Sequence, residues 1–167
     1  HMHANGISME LYGKGYVLAP DAGIGLYLYS GLDYLEYYSQ FPSHNTVCVD
    51  GISSYPVMKS NHSFDLKSSF PVSAEPGKAF TSVTYSDVSF REPESRADQT
   101  RMMSIVTTGP ETGYYVDIFR SRKERGGDKM HDYFYHNLGQ TMTLTAADGT
   151  DLNLQPTEEL AFAGAHL

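Results

Sequence analysis

The sequence predicts an all-β fold, an antiparallel β-sandwich with long loops, and three observations lead there. Turn-forming residues punctuate the chain at short intervals: Gly13, Gly15, Pro20, Gly23, Pro42, Gly51, Pro71, Gly77, Pro110, Gly126 and Gly149. Thirteen Tyr and eight Phe without any Trp favour sheets, because Tyr packs on a pleated surface and keeps a wet end. Apolar spacing at the helical period is poor nearly everywhere, and only residues 32–38 read as a helical turn. Several short strands between frequent turns fit a sandwich better than a bundle.

The clearest strands are expected at 44–49, 79–85, 101–107, 114–119, 130–136 and 140–145, with weaker ones at 9–12, 16–19 and 151–154. The polar stretch 59–78 reads as a long excursion between strands, and 91–98 as a loop. Alternation then sorts side chains by face. Val47 and Val49 oppose His44, Thr46 and Cys48. Val116 and Ile118 read as core, which sets Tyr115, Asp117 and Phe119 on the other face. His131, Tyr133 and Tyr135 share one face of the next strand; Asp132, Phe134 and His136 share the other.

At 167 residues and 18.6 kDa the chain suits one domain, and 40% apolar against 19% charged residues is enough to build a core. His1 and Met2 read as the scar of tag removal, leaving 3–167 as the domain, and the end near 159–167 reads as cut short. A net charge of −8 and a pI near 5.2 argue against a basic nucleic-acid binder. No run approaches the roughly 20 apolar residues of a membrane helix. Cys48 is the sole cysteine, so no intrachain disulfide forms, and packing is its expected role. Arg120, Arg122, Lys123, Arg125 and Lys129 crowd one segment. It reads either as a solvated hairpin tip or as a basic rim where Arg matches carboxylate or sulfate.

Several segments resemble the β-domain of heparinase II/III-like polysaccharide lyases. Residues 11–23 contain a strand, a turn and the Asp21-Ala22-Gly23 element. Ser43-His44-Asn45-Thr46-Val47-Cys48-Val49-Asp50-Gly51 is similar to the family's H-N-T-V-x-V-D-G strand, its most specific signature. Residues 114–120 and 126–136 resemble its Y-Y-V and H-D-Y strands. The resemblance implies the C-terminal sandwich of a two-domain enzyme, whose N-terminal α/α-toroid supplies the rest of a cleft between domains. It implies β-elimination at a uronic acid in an acidic polysaccharide, and a bacterial parent that is periplasmic or secreted. It also implies a divalent metal, zinc or alternatively calcium. His44, Asp87 and His131 are then the ligands, with Asp65 competing for the carboxylate. Tyr115 becomes the active-site tyrosine (Tyr114 if the register slips by one), with Arg120, Arg122 and His136 against substrate. On this reading the chain alone lacks half its active site and is inactive. The alternative is a non-catalytic sandwich that binds carbohydrate or serves a structural role.

Overall fold

The computed structural model describes residues 3–23, 34–52, 63–71, 82–126 and 129–156. It is all-β and antiparallel, with little helix. The eight strands are β1 (Leu11–Gly13), β2 (Tyr16–Ala19), β3 (Val47–Val49), β4 (Asp65–Phe70), β5 (Val83–Arg91), β6 (Asp98–Gly109), β7 (Thr112–Arg122) and β8 (His131–Tyr133). They form a four-stranded sheet in the order β4-β5-β6-β7, a β3–β8 pair and a β1–β2 hairpin. Lys14 and Gly15 both have positive φ, 51° and 83°, which is the geometry of a tight two-residue hairpin turn.

Most strands lie where turn signals and β-formers place them, though β5 to β7 run longer than expected. Two expectations are corrected. The excursion at 59–78 contains β4, whose sequence Asp-Leu-Lys-Ser-Ser-Phe is polar because it is an exposed edge strand. Residues 140–145 and 151–154 contribute only an isolated bridge between Thr145 and Asp151. Of the predicted helical turn, Tyr34–Tyr38 forms a π-helical turn, and its first residues lie outside those described. Residues 79–81 also lie outside them.

β3 is buried on both faces, and the core is built around it. Val47 and Val49 pack on Ala97 and Phe119 of the four-stranded layer, while Cys48 meets Ala4, Phe41 and Phe134 on the opposite side. This corrects the face assignment for β7. Tyr115, Asp117 and Phe119 do share a face, yet Phe119 faces the core and Asp117 binds Arg101, whereas Ile118 is 37% exposed. Alternation says which residues go together; it does not say which face a second layer covers.

That second layer sits on a polar anchor. Arg101 is 2% exposed and donates from Nε and Nη2 to Asp117, at 2.9 and 2.7 Å. Its remaining hydrogens reach the carbonyls of Ile7 (2.9 Å) and Asn45 (2.6 Å) and the Tyr133 hydroxyl (3.1 Å). The guanidinium thereby ties β6 and β7 to β8, to the N-terminal segment and to the residue beside His44. A buried Arg with its whole donor fork satisfied is tolerable where an unpaired one is not.

Candidate active site

The chain leading into β3 folds for a local reason. Pro42 starts a 3-10 turn, Phe41–Ser43, and the His44 amide closes it on the Phe41 carbonyl at 3.0 Å. His44 itself is extended, and its ring lies against His3 and Asp21. There Nδ1 lies 2.6 Å from Oδ2 of Asp21, and the residue is 1% exposed. The other ring nitrogen, Nε2, is buried with no hydrogen-bond partner among the described residues. Asp21 is fixed in turn by the Gly23 amide, which donates to Oδ1 at 2.9 Å. The Asp21-Ala22-Gly23 element is thus an Asx-type turn holding a carboxylate for His44.

Asn45 locks the neighbouring groups. Its Nδ2 donates to the carbonyls of Met9 (3.0 Å) and Pro20 (2.9 Å), which leaves Oδ1 to accept from the His136 amide (2.6 Å) and from His136 Nδ1 (3.2 Å). His136 therefore carries its proton on Nδ1, and its Nε2 faces the Tyr37 hydroxyl at 3.4 Å. His3 completes the cluster, its ring 5.3 Å from that of His44. A cleft of about 420 Å³ opens beside these groups, lined by His3, Asn5, Ser8, Glu10, Asp21 and His44.

The electrostatics follow from packing. Burial, reinforced by the charge of His44, lowers the pKa of His136 and likewise of His3. Burial alone would raise Asp21, but the hydrogen bond and charge of His44, then the Gly23 amide, outweigh it and keep the carboxyl below its usual range. Burial pushes the Tyr37 hydroxyl up. The cluster holds an ionised Asp21 and a tyrosine that keeps its proton.

Of the residues singled out from the sequence, the structure brings together His44 and His136. It does not bring the expected metal ligands together. His131 pairs with Val49 in the β3–β8 ladder and its Nδ1 meets Ser121 at 2.8 Å, on the side opposite His44. Asp87 stands on β5 opposite Met102, on the sheet face away from Ser121. Asp65 is exposed on β4. No group of three His, Cys, Asp or Glu side chains able to hold a metal occurs among the described residues. Donors on three separate surfaces do not fit one tetrahedral ion.

The Tyr115 hydroxyl donates to the Tyr12 carbonyl, at a separate cleft of about 510 Å³ between the 9–12 segment and β5–β7. Tyr114 is exposed. Arg120 and Arg122 lie on the other face of β7, Arg122 paired with Glu124 at 3.2 Å. Cys48 is buried, and that burial raises its thiol to about 12. Sequence reasoning missed Asp21, Tyr37 and His3 as site residues. Asp21 had a signal, the Asp-x-Gly turn directly after a strand, but its partner 23 residues on became visible only in the fold.

The all-β antiparallel fold and the motif segment at 43–51 agree with the comparisons by sequence. The family described as Heparinase II/III-like, C-terminal matches residues 1–95, a span that includes Asp21 and His44, and the chain belongs to that family. A curated relative, the endo-acting ulvan lyase of Formosa agariphila, is 32% identical over 166 residues, covering 94% of this chain and 20% of the relative. The chain thus spans about a fifth of that relative's length. No solved structure matches the chain.

Proposed function

We propose that this chain is the β-domain of a polysaccharide lyase that cleaves uronic-acid-containing polysaccharide by β-elimination, and that His44 is what it contributes to the chemistry. In that reaction a base takes the proton from the carbon α to the uronate carboxylate. The C–H electron pair becomes the new C=C bond, and the glycosidic C–O pair leaves with the oxygen, which takes up a proton. The α-proton is weakly acidic, so the step needs both a positioned base and donors for the carboxylate. Ulvan, the polymer in the relative's name, is the first substrate to test.

One observation carries the reading. The His44 ring has Nδ1 held by Asp21 and Nε2 buried without a partner among the described residues, beside a polar cleft. Leaving a buried nitrogen unpaired costs about 1–3 kcal/mol, a cost that a purely structural histidine has no reason to retain. The chemistry is given to His44 rather than Tyr115, whose hydroxyl is committed to a backbone carbonyl. Arg120 and Arg122 stay as outlying contacts for the polymer's acidic groups. A net charge of −8 means any such attraction is local.

The test uses the full-length lyase that carries this domain and follows absorbance of the unsaturated uronate product. We expect His44→Ala to lower turnover on the order of 1,000-fold, within the range for a positioned proton-transfer group. We also expect the 167-residue chain alone to give no product. Activity within threefold (roughly 0.6 kcal/mol) of wild type in His44→Ala would remove the assignment. Binding of uronans by the full-length protein without any unsaturated ends would favour a binding module instead.

A further inference from the structure

We propose that the basic pocket over the β5–β6 connection is a second anion-binding site, which grips a carboxylate or sulfate group borne by an acidic polysaccharide. It shares no lining residue with the His44 cleft. The inference rests on the reading that this chain meets an acidic polymer, and it gives the pocket a holding role outside the chemical step.

The pocket holds about 250 Å³. That is below the roughly 300–1,000 Å³ of ordinary ligand pockets, a size for one charged group rather than a length of polymer. Arg91, Arg96, Lys123 and Arg125 line it, against two carboxylates, Asp98 and Glu124. Lys123 is spent on Asp50 at 2.6 Å, and Glu124 reaches Arg122 at 3.2 Å. Arg91 and Asp98 make only a loose 3.4 Å pair between two exposed side chains. The guanidinium groups of Arg96 and Arg125 have no hydrogen bond or ion pair among the described residues. In a chain of net charge −8, two unpaired guanidinium groups at one pocket are a local reversal of sign.

The wall that carries Arg96 is built in advance. Glu92 is 2% exposed, and its carboxylate accepts the amides of Glu94 (2.9 Å) and Ser95. Its backbone carbonyl takes the Arg96 amide, and its amide donates to the Ala97 carbonyl, at 2.9 Å each. This fixed turn holds Arg96 at a φ of 58°, where an L side chain is strained and glycine is not. The fold gains no side-chain bond in return. Strain of this kind collects at ligand sites, where a side chain is kept for what it binds. Ser95 adds a donor. The residue is 5% exposed and its Oγ accepts the Ala97 amide at 3.2 Å, so its O–H is unspent among the described residues. Guanidinium forks beside a hydroxyl match the several oxygens of a carboxylate or sulfate.

A solvated turn that merely carries arginines predicts no saturable binding at this place. The test follows backbone amide and arginine side-chain signals of the ¹⁵N-labelled 167-residue chain. Three probes are titrated at equal anion concentration: a uronic acid oligosaccharide, a sulfated oligosaccharide and inorganic sulfate. At least one oligosaccharide should shift Ser95, Arg96 and Arg125 saturably, and bind more tightly than inorganic sulfate. Raising the salt to about 0.5 M should weaken that binding several-fold. Arg96→Gly combined with Arg125→Ser should weaken it on the order of 10-fold while the chain stays folded. Arg96→Gln with Arg125→Gln, which removes charge but keeps a long side chain, should do the same.

No saturable shift at the pocket with either oligosaccharide overturns the proposal. So does an equal response to inorganic sulfate, which would mean an adventitious ion only, or wild-type affinity in both folded double variants. The two readings fail separately. Unimpaired His44→Ala activity removes the role of His44 and leaves the pocket standing. A dead His44→Ala enzyme beside a pocket that binds neither oligosaccharide removes the pocket alone.

Discussion

At the scale of single residues, Arg101 does most to hold the candidate site in place. It is buried, all of its N–H groups are used, and its guanidinium lies 5.3 Å from the Phe119 ring centre and 5.9 Å from that of Tyr133. Removing it strands the Asp117 carboxylate and the carbonyls of Ile7 and Asn45. We therefore expect Arg101→Met to destabilise the chain by about 3–5 kcal/mol, as when one partner of a buried ion pair is lost. Tyr133→Phe removes one hydroxyl that donates to Asp117 at 2.5 Å and accepts from Arg101, while the Arg101–Asp117 fork survives. It should cost only about 1 kcal/mol. Urea unfolding of both variants checks the order, and equal losses would mean the fork is not the anchor. Tyr133 is also no proton carrier at neutral pH, because burial and its bond to Asp117 both raise its pKa.

At the scale of elements, much of the fold was legible because turn chemistry and β-composition are local properties. The strands around Val47, Arg101 and Tyr115 announce themselves; β4 does not, since an edge strand exposed along its length carries no apolar alternation. The β5–β6 connection, read only as a loop, is a folded unit. The buried Glu92 carboxylate accepts the amides of Glu94 (2.9 Å) and Ser95, and the Glu92 backbone pairs with Arg96 and Ala97 at 2.9 Å each. Ala97 then reaches the core against Val47 and Val49. Glu92→Ala should cost about 1–3 kcal/mol by orphaning those amides. Arg96 holds a φ of 58°, so Arg96→Gly should be neutral or stabilise by up to about 1 kcal/mol. Thermal denaturation tests both, and a destabilising Arg96→Gly would show that its side chain, not its backbone, matters to the turn.

At the scale of the whole molecule, the candidate site was only half legible. His44 stood out through its motif strand, but its partner Asp21 and neighbour Tyr37 come from segments that only the fold brings together. The metal trio failed to converge for a related reason: motif order does not reveal which face of which sheet a residue occupies. The same buried cluster sets how stability varies with pH. His3 and His136 have folded-state pKa values lowered from 6.5, so below that value the unfolded chain binds more protons and stability falls with acidification. Asp21 and Asp50, lowered from 3.8, extend the loss at more acidic pH, because their contribution disappears as they protonate in the native state. Cys48 acts from the other side: its thiol moves from 9.0 up to about 12, so above 9 the unfolded state gains by ionising and stability falls again. The expected profile is a plateau between about pH 7 and 8.5 with a declining limb on each side. Replacing a contributor should flatten its own limb alone, His136→Gln the acid one and Cys48→Ala the alkaline one, even though both lower the plateau. Thermal midpoints measured across pH for the three proteins decide the matter. An acid limb unchanged by His136→Gln would mean that His136 is as free to protonate in the folded protein as in the unfolded chain.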